Sequence, residues 1–140
     1  LPSLVEGNYI SNIIHNYGCI YLDFYHRELT VTQNVCQNAP LWLPATYTDE
    51  YLNPTSNTAG KLRFVNVLIQ DNYTNVSRAI NLVTPLYLTE STTYNDEEQN
   101  IHILDTHYIS DANWPPEAQA IIDHAGLEEP YLSLVDRLNP

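Results

Sequence analysis

The hydrophobic positions of this chain fall mostly in short runs rich in Ile, Val, Thr and Tyr, separated by clusters of Asn, Thr, Asp and Pro. β-Branched and aromatic residues favour strands, and the polar clusters favour turns. The runs predict strands at residues 8–14, 19–24, 28–36, 41–43, 62–69, 79–88 and 101–109. The sequence therefore predicts an all-β fold.

Two polar stretches interrupt these runs and predict loop excursions. Residues 44–60 are rich in Pro, Asn and Thr, and residues 89–100 are strongly acidic. Solvated loops are the ordinary interpretation of both. Calcium is the functional alternative, because it prefers carboxylate and carbonyl oxygens. No other cofactor is expected.

An asparagine-centred phrase returns along the chain. The segment NYISN at 8–12 is echoed by NVCQN at 34–38, an offset of 26 residues, and by DNYTN at 71–75. Asn suits the corners of stacked coils, since it tolerates left-handed backbone and can hydrogen-bond to the Asn of the next coil. The repeat favours a solenoid. An antiparallel sandwich would give similar short strands and stays open as the alternative.

The segment NWPPEAQAIIDHAGLEEP at 113–130 differs from the rest of the chain. Asn113 or Trp114 can cap a helix, residues 115–116 are prolines suited to a first turn, and Gly126 can end it. An apolar stripe at helical spacing is formed by Ala118, Ile121, Ile122 and Ala125. Because the last coil of a solenoid exposes strand edges, we expect this helix to cover that end as a lid.

The amino-acid composition limits the classes of partner expected for this chain. The 140 residues include 17 acidic and five basic side chains, for a net charge of -12. This excess argues against a nucleic acid or an anionic membrane surface as partner. No apolar run approaches the roughly 18 residues that span a bilayer. Because the chain lacks Met even at position 1, we expect it to be a piece of a longer product.

Two short signals point outside the cell. Asn72-Tyr-Thr and Asn75-Val-Ser match the acceptor motif for N-glycosylation. Cys19 and Cys36 are the only cysteines, which leaves open one disulfide or two buried thiols. Together these residues favour a secreted, extracellular protein.

The segment NIIHNYGCIYLDFYHRELTVTQNVCQNA at 12–39 resembles the late coils of secreted right-handed parallel β-helix proteins, the pectate-lyase-like superfamily. The segment 113–134 is similar to the C-terminal segment of many such chains. The resemblance implies a right-handed parallel β-helix of about five coils over 1–112, with a helical C-terminal cap over 113–140. It also implies a polysaccharide-facing parent, of which this chain is the C-terminal portion.

The densest polar cluster comprises His15, Asp23, His26, Arg27 and Glu28. A β-elimination site needs a base near a sugar proton and cations that neutralise a uronate, which the histidines and the arginine could supply. Asp23 and Glu28 could instead form a glycosidase acid–base pair at the right separation. A plain turn between strands is the alternative. The acidic balance disfavours an autonomous lyase.

Aromatic and histidine residues give two further candidate sites. Tyr17, Tyr21 and Tyr25 recur at a spacing that places them on one side of an extended run, where they could stack on sugar rings. Ordinary packing is the alternative. His102, Asp105 and His107 match no metal-binding motif, and strand alternation puts the two histidines on opposite faces. We predict no metal site.

Two functions remain open at this point. In the first, the chain is the C-terminal β-helix portion of a secreted carbohydrate-active protein, where it contributes stability and glycan contact and joins an upstream β-helix chain. In the second, it is a non-catalytic extracellular glycoprotein module. Copies of that module would assemble through the open first coil into a filament or matrix.

Overall fold

The computed structural model describes residues 1–22, 26–44, 64–78, 80–81, 85–86 and 91–126. Its strands are β1 (Ser3–Glu6), β2 (Tyr9–Ser11), β3 (His26–Thr32), β4 (Val35–Gln37), β5 (Leu43–Pro44), β6 (Phe64–Thr74), β7 (Ile80–Asn81), β8 (Pro85–Leu86), β9 (Ser91–Asp96) and β10 (Ile101–Tyr108). A helix, α1, spans Pro116–His124. The predicted all-β class is confirmed, since the described chain is mostly strand with little helix.

The larger sheet is mainly parallel. Strands β1, β3, β6 and β10 lie side by side in parallel, and β9 adds to the far edge of β10 in the antiparallel direction. We call β1, β3, β6 and β10 the first stack. Strands β2 and β4 and the end of β6 form a second parallel stack. The smaller sheet has the order β5-β7-β8.

A third set of parallel contacts follows the same order. The backbone N–H groups of Cys19 and Ile20 donate to the carbonyls of Leu41 and Trp42, at 3.1 and 3.2 Å. Trp42 in turn donates to the carbonyl of Arg78 at 3.2 Å, and β5 pairs with β7 in parallel. Residues 19–22, 41–44, 78 and 80–81 therefore form a third stack.

The register within the first stack aligns residues of similar type in neighbouring strands. Two apolar columns result, one of Val5, Val31, Ile69 and Ile103 and one of Leu29, Val67 and Ile101. These columns lie in one buried cluster with the fully buried Trp42, Leu43 and Phe64. The core is thus built by repeating one apolar position in successive strands, where it excludes water from all of them at once.

The corner that follows the first stack is left-handed in every layer. Gly7, Gln33, Asp71 and Asp105 occupy equivalent positions, with φ between 49° and 69°. The N–H of Gly7 donates to the carbonyl of Gln33 at 3.0 Å, and that of Gln33 donates to the carbonyl of Asp71 at 3.1 Å. Each corner thereby turns the chain from the first stack into the second.

Helix α1 forms where the proline and glycine signals predicted. Its N-cap is Pro115 without a side-chain hydrogen bond, so neither Asn113 nor Trp114 caps it. The Trp114 Nε1–H instead donates to Gln37 Oε1 at 3.2 Å, and the helix contacts β4. The free edge of β10 is covered by β9, because residues 91–96, expected in a loop, form a strand there.

Several sequence predictions fall outside the described residues. Most of the excursion predicted at 44–60 does so, as do residues 127–140 of the predicted cap and part of the predicted strand 79–88. None of the described helical segments is long and apolar enough to cross a membrane.

Candidate functional site

The asparagines of the repeat form a hydrogen-bonded column at the left-handed corner. Nδ2 of Asn8 donates to Oδ1 of Asn34 at 2.9 Å, and Nδ2 of Asn34 donates to Oδ1 of Asn72 at 3.0 Å. The backbone N–H groups of Asn8 and Asn34 donate to the same two oxygens, each at 3.1 Å. The predicted bonding between stacked asparagines is confirmed, with Asn72 rather than Asp71 in the third layer.

A second asparagine column follows the second stack, on the outside of the protein. Nδ2 of Asn38 donates to Oδ1 of Asn12 at 3.3 Å, and Nδ2 of Asn75 donates to Oδ1 of Asn38 at 2.9 Å. Asn12 and Asn38 adopt left-handed φ angles of 56° and 55°. The short polar side chain of Asn tolerates this conformation, so the echoed residue serves both the turn and the contact between layers.

Glu28, a candidate catalytic residue, belongs to a third column. Its Oε1 accepts from Nδ2 of Asn66, and Oδ1 of Asn66 accepts from Nδ2 of Asn100 at 2.9 Å. Oδ1 of Asn100 then contacts Nε2 of His102 at 2.8 Å. Because a carboxylate only accepts, Asn66 donates to Glu28, and Asn100 in turn donates to Asn66. The carboxylate of Glu28 therefore ends a hydrogen-bonded column that links neighbouring strands.

The other members of the polar cluster are distributed differently. His26 is aligned with Phe64, and the two rings stack with centroids 6.0 Å apart and planes at 16°. Arg27 is exposed beside it, aligned with Val65. His15 is exposed in the connection after β2, and its carbonyl accepts from the N–H of Gly18 at 3.4 Å. Asp23 lies outside the described residues, so the proposed acid–base pair stays a prediction.

Two of the three candidate sugar-stacking tyrosines lie together on the surface. The ring centroids of Tyr17 and Tyr21 are 5.0 Å apart at 64°, an edge-to-face contact, and the side chains are 63% and 39% exposed. Tyr25 lies outside the described residues. The pair presents aromatic ring surface to solvent, the kind of surface on which sugar rings can pack.

The backbone between these tyrosines is held tightly. Gly18 has φ +72°, and a Cβ there would lie 2.5 Å from the carbonyl oxygen of Leu41, so only glycine fits. The next residue, Cys19, forms a disulfide with Cys36, with 6.0 Å between the Cα atoms. The disulfide ties the third stack to the second and fixes the surface on which Tyr17 and Tyr21 stand.

The two candidate glycosylation residues have opposite environments. Asn72 is fully buried, and its Nδ2 donates to the carbonyls of Val31 and Gln70 at 2.9 and 2.8 Å. A glycan on that nitrogen would replace one of its two hydrogens, break at least one of these bonds and need space in the core. Asn75 lies in the outer column and is half-buried. The geometry therefore favours Asn75 as the acceptor.

The acidic and histidine-rich candidates form no metal cluster among the described residues. His102 contacts Asn95 and Asn100, whereas His107 stacks on Tyr73 with ring centroids 4.7 Å apart. In the acidic stretch, the carboxylate of Asp96 accepts from the N–H of Gln99 at 3.1 Å, which closes the turn between β9 and β10.

Sequence reasoning missed a cleft of about 710 Å³ between α1 and the left-handed corner. Its lining includes Glu6, Gln33, Asp71, Tyr73, Glu117 and His124. Burial raises the pKa of the Tyr73 hydroxyl above its ordinary value, and the negative charges of Glu117 and Asp71 raise it further. The cleft exists because α1 packs beside the left-handed corner. The helical spacing of apolar residues predicts the helix but not where it packs.

Comparison of the chain with family models, curated proteins and solved structures finds no match.

Proposed function

We propose that this chain forms the final rungs of a secreted parallel β-helix protein that acts on or binds polysaccharide. A rung here is one segment from each of the three stacks; β1, β2 and residues 19–22 make the first rung. In this proposal the chain contributes stability and one surface for glycan contact. The observation that carries it is the column of Asn8, Asn34 and Asn72, of which Asn34 and Asn72 are buried, because such a column needs parallel layers in one register.

The common offset of the first two stacks supports the β-helix. Ser3 is aligned with Leu29 in the first stack and Tyr9 with Val35 in the second, so both steps equal the 26 residues between Asn8 and Asn34. Equal steps on two stacks are expected when the chain completes one turn per layer. An antiparallel sandwich would pair consecutive strands in the opposite direction.

Secretion is supported by the disulfide. Disulfides persist mainly in oxidising compartments, and this one joins residues that the corner geometry has already brought close. Carbohydrate as ligand is supported by the exposed pair Tyr17 and Tyr21. The net charge of -12 disfavours uronate-rich polymers, so uncharged oligosaccharides are the expected ligands.

The test is an NMR titration with cello-oligosaccharides and, separately, oligogalacturonides. We expect the Tyr17 and Tyr21 ring signals to shift with the uncharged sugar. Tyr17→Ala should weaken binding about three- to tenfold, the loss expected for one aromatic contact. Tyr9→Ala is the matched control, since Tyr9 is 37% exposed and its hydroxyl donates to Gln37 Oε1 away from the pair. Unchanged ring signals with every sugar would remove glycan contact from the proposal.

A second candidate is a non-catalytic extracellular glycoprotein module that assembles through the first rung. The observation in its favour is the outer edge of β1, where Leu1 and Leu4 are exposed and no described strand pairs. A filament would also need an open edge on β10, which β9 covers. Sedimentation velocity tests this candidate: a mass that rises in multiples with concentration favours it, and a constant monomer mass opposes it.

A further inference from the structure

The edge of β1 differs from the opposite edge of the first stack. β1 pairs with β3 on one side, and no strand of the described residues lies on its other side. At the opposite end, β9 closes β10. The second stack has the same arrangement, since β4 is the one described strand that pairs with β2. The first rung therefore presents two adjacent strand edges, a template for strand addition.

The hydrogen bonds between the column asparagines have one direction, and this direction sets what the side chain at the edge can accept. From one asparagine of the column to the next, the earlier residue donates and the later one accepts. Asn8 donates both its backbone N–H and its Nδ2 to Oδ1 of Asn34, and Asn34 does the same to Asn72. Within the described residues Oδ1 of Asn8 accepts no hydrogen bond. The open edge thus offers an acceptor where the next asparagine would donate.

The layers also share a sequence pattern. A β-branched apolar residue is followed, two positions later, by a left-handed residue and then by the column residue, as in Val5-Glu6-Gly7-Asn8 and Ile69-Gln70-Asp71-Asn72. Val5 is the half-buried end of its apolar column and packs against the buried core. A matching apolar residue on an added strand would cover it.

We propose that the β1 edge binds one parallel strand of the pattern Val/Ile-x-x-Asn, supplied by a partner segment. Its asparagine donates to Oδ1 of Asn8 and its apolar residue covers Val5. This inference rests on the stacked rungs proposed above but not on glycan contact, so the two can fail separately.

A second copy of this chain fits the edge poorly. In head-to-tail stacking the copy would present its β10, whose outer edge is already paired with β9. In an antiparallel two-fold pairing of β1 with β1, the corner of one copy would lie beside the start of β1 in the other. Oδ1 of Asn8 would then receive no asparagine amide.

The experiment extends the full chain at its N-terminus with a copy of residues 67–74, VLIQDNYT, joined by a Gly/Ser linker of about 20 residues. Such a linker spans roughly 25 Å, and tethering removes the need for high affinity of a free peptide. The control carries Asp in place of the added asparagine, since a carboxylate cannot donate. The readout is hydrogen exchange at the β1 amides, Ser3–Glu6.

We expect the asparagine extension to slow exchange of the edge-facing β1 amides about tenfold relative to the Asp control, as one or two added hydrogen bonds would. Equal protection by both extensions, or none by either, would overturn the proposal. So would β1 protection in the unextended chain that grows with concentration alongside a dimer mass, because the occupant would then be a second copy.

Discussion

Nδ2 of Asn34 donates to Oδ1 of Asn72 at 3.0 Å, although 38 residues separate them, and both side chains are fully buried. Asn34 also donates to the carbonyls of Val5 and Thr32, at 3.0 and 2.9 Å. One side chain thus connects three layers and satisfies backbone groups that would otherwise be buried without partners. Buried polar groups stabilise a fold only when they are satisfied in this way.

Replacing Asn34 should be costly. Asn34→Ala leaves the carbonyl of Val5 and the N–H of Asn8 without this partner, and Oδ1 of Asn72 keeps only the hydrogen bond from the backbone N–H of residue 34. We expect a loss of about 2–4 kcal/mol in the free energy of unfolding, measured by urea denaturation. Asn38→Gly is the control, since it keeps the left-handed corner of the exposed column and should cost less than about 1 kcal/mol. Equal losses in the free energy of unfolding for the two variants would contradict the conclusion that the buried column contributes more to stability than the exposed one.

The fourth layer offers a stabilising substitution. Thr106 follows Asn72 in the column and is fully buried, and its hydroxyl has no hydrogen-bond partner among the described residues. By analogy with Asn72, an asparagine there would donate to the carbonyls of Leu104 and Ile69. Thr106→Asn should add about 0.5–1.5 kcal/mol to the free energy of unfolding. If Thr106→Val, which only removes the hydroxyl, is the more stable variant, the column ends before β10.

The disulfide should contribute measurably to stability. Cys19 and Cys36 are 17 residues apart, and closing a loop of this length stabilises a folded state by about 3 kcal/mol. Urea denaturation with and without a reducing agent measures the difference. The double variant Cys19→Ala and Cys36→Ala should show the same loss and no response to reductant. A stability that reduction leaves unchanged would show that the two cysteines are not joined.

Glycosylation should occur at Asn75 and not at Asn72. In protein secreted by a glycosylating host, one glycan is expected by intact mass before and after enzymatic deglycosylation. Ser77→Ala removes the Asn75 acceptor motif at an exposed residue, and should abolish the glycan without lowering stability. A glycan that persists in Ser77→Ala would place sugar on Asn72 and contradict its burial.

Alkaline pH should destabilise the protein partly through Tyr73. Burial and the carboxylates of Glu117 and Asp71 raise the pKa of this hydroxyl in the folded state. As pH rises through about 10, the unfolded chain loses this proton first, so stability falls. Tyr73→Phe should flatten the fall in thermal midpoint between neutral and alkaline pH. An identical pH profile for the variant would show that Tyr73 ionises alike in both states.

The asparagine repeat carried most of what the sequence could predict. Asn8 and Asn34 gave the 26-residue step and the bonds between layers, because corner conformation and column bonding both select Asn. In the third layer the motif was aligned correctly at Asn75, which bonds to Asn38, but one residue early at Asp71, since Asp71 and Asn72 both suit a left-handed corner and only strand pairing separates them.

Local sequence patterns could not predict where each element packs in the folded protein. Residues 91–96 are polar and acidic, yet they pair with β10 because its edge is available. The apolar stripe of α1 predicted a helix but not which surface it covers. Glu28 stays a candidate catalytic residue, but the sequence did not show that its carboxylate also ends a column that includes Asn66 and Asn100, residues 38 and 72 positions away in sequence.

The parallel stacking in register is tested most directly by NMR of the side-chain amides. We predict nuclear Overhauser contacts between the Nδ2 protons of Asn34 and those of Asn8 and Asn72, together with slow exchange of the Asn34 and Asn72 protons. The side-chain amide protons of the exposed Gln33, the residue before Asn34, should exchange rapidly. Rapid exchange of Asn34 and Asn72, with no contact between them, would contradict the asparagine column and the stack of rungs built on it.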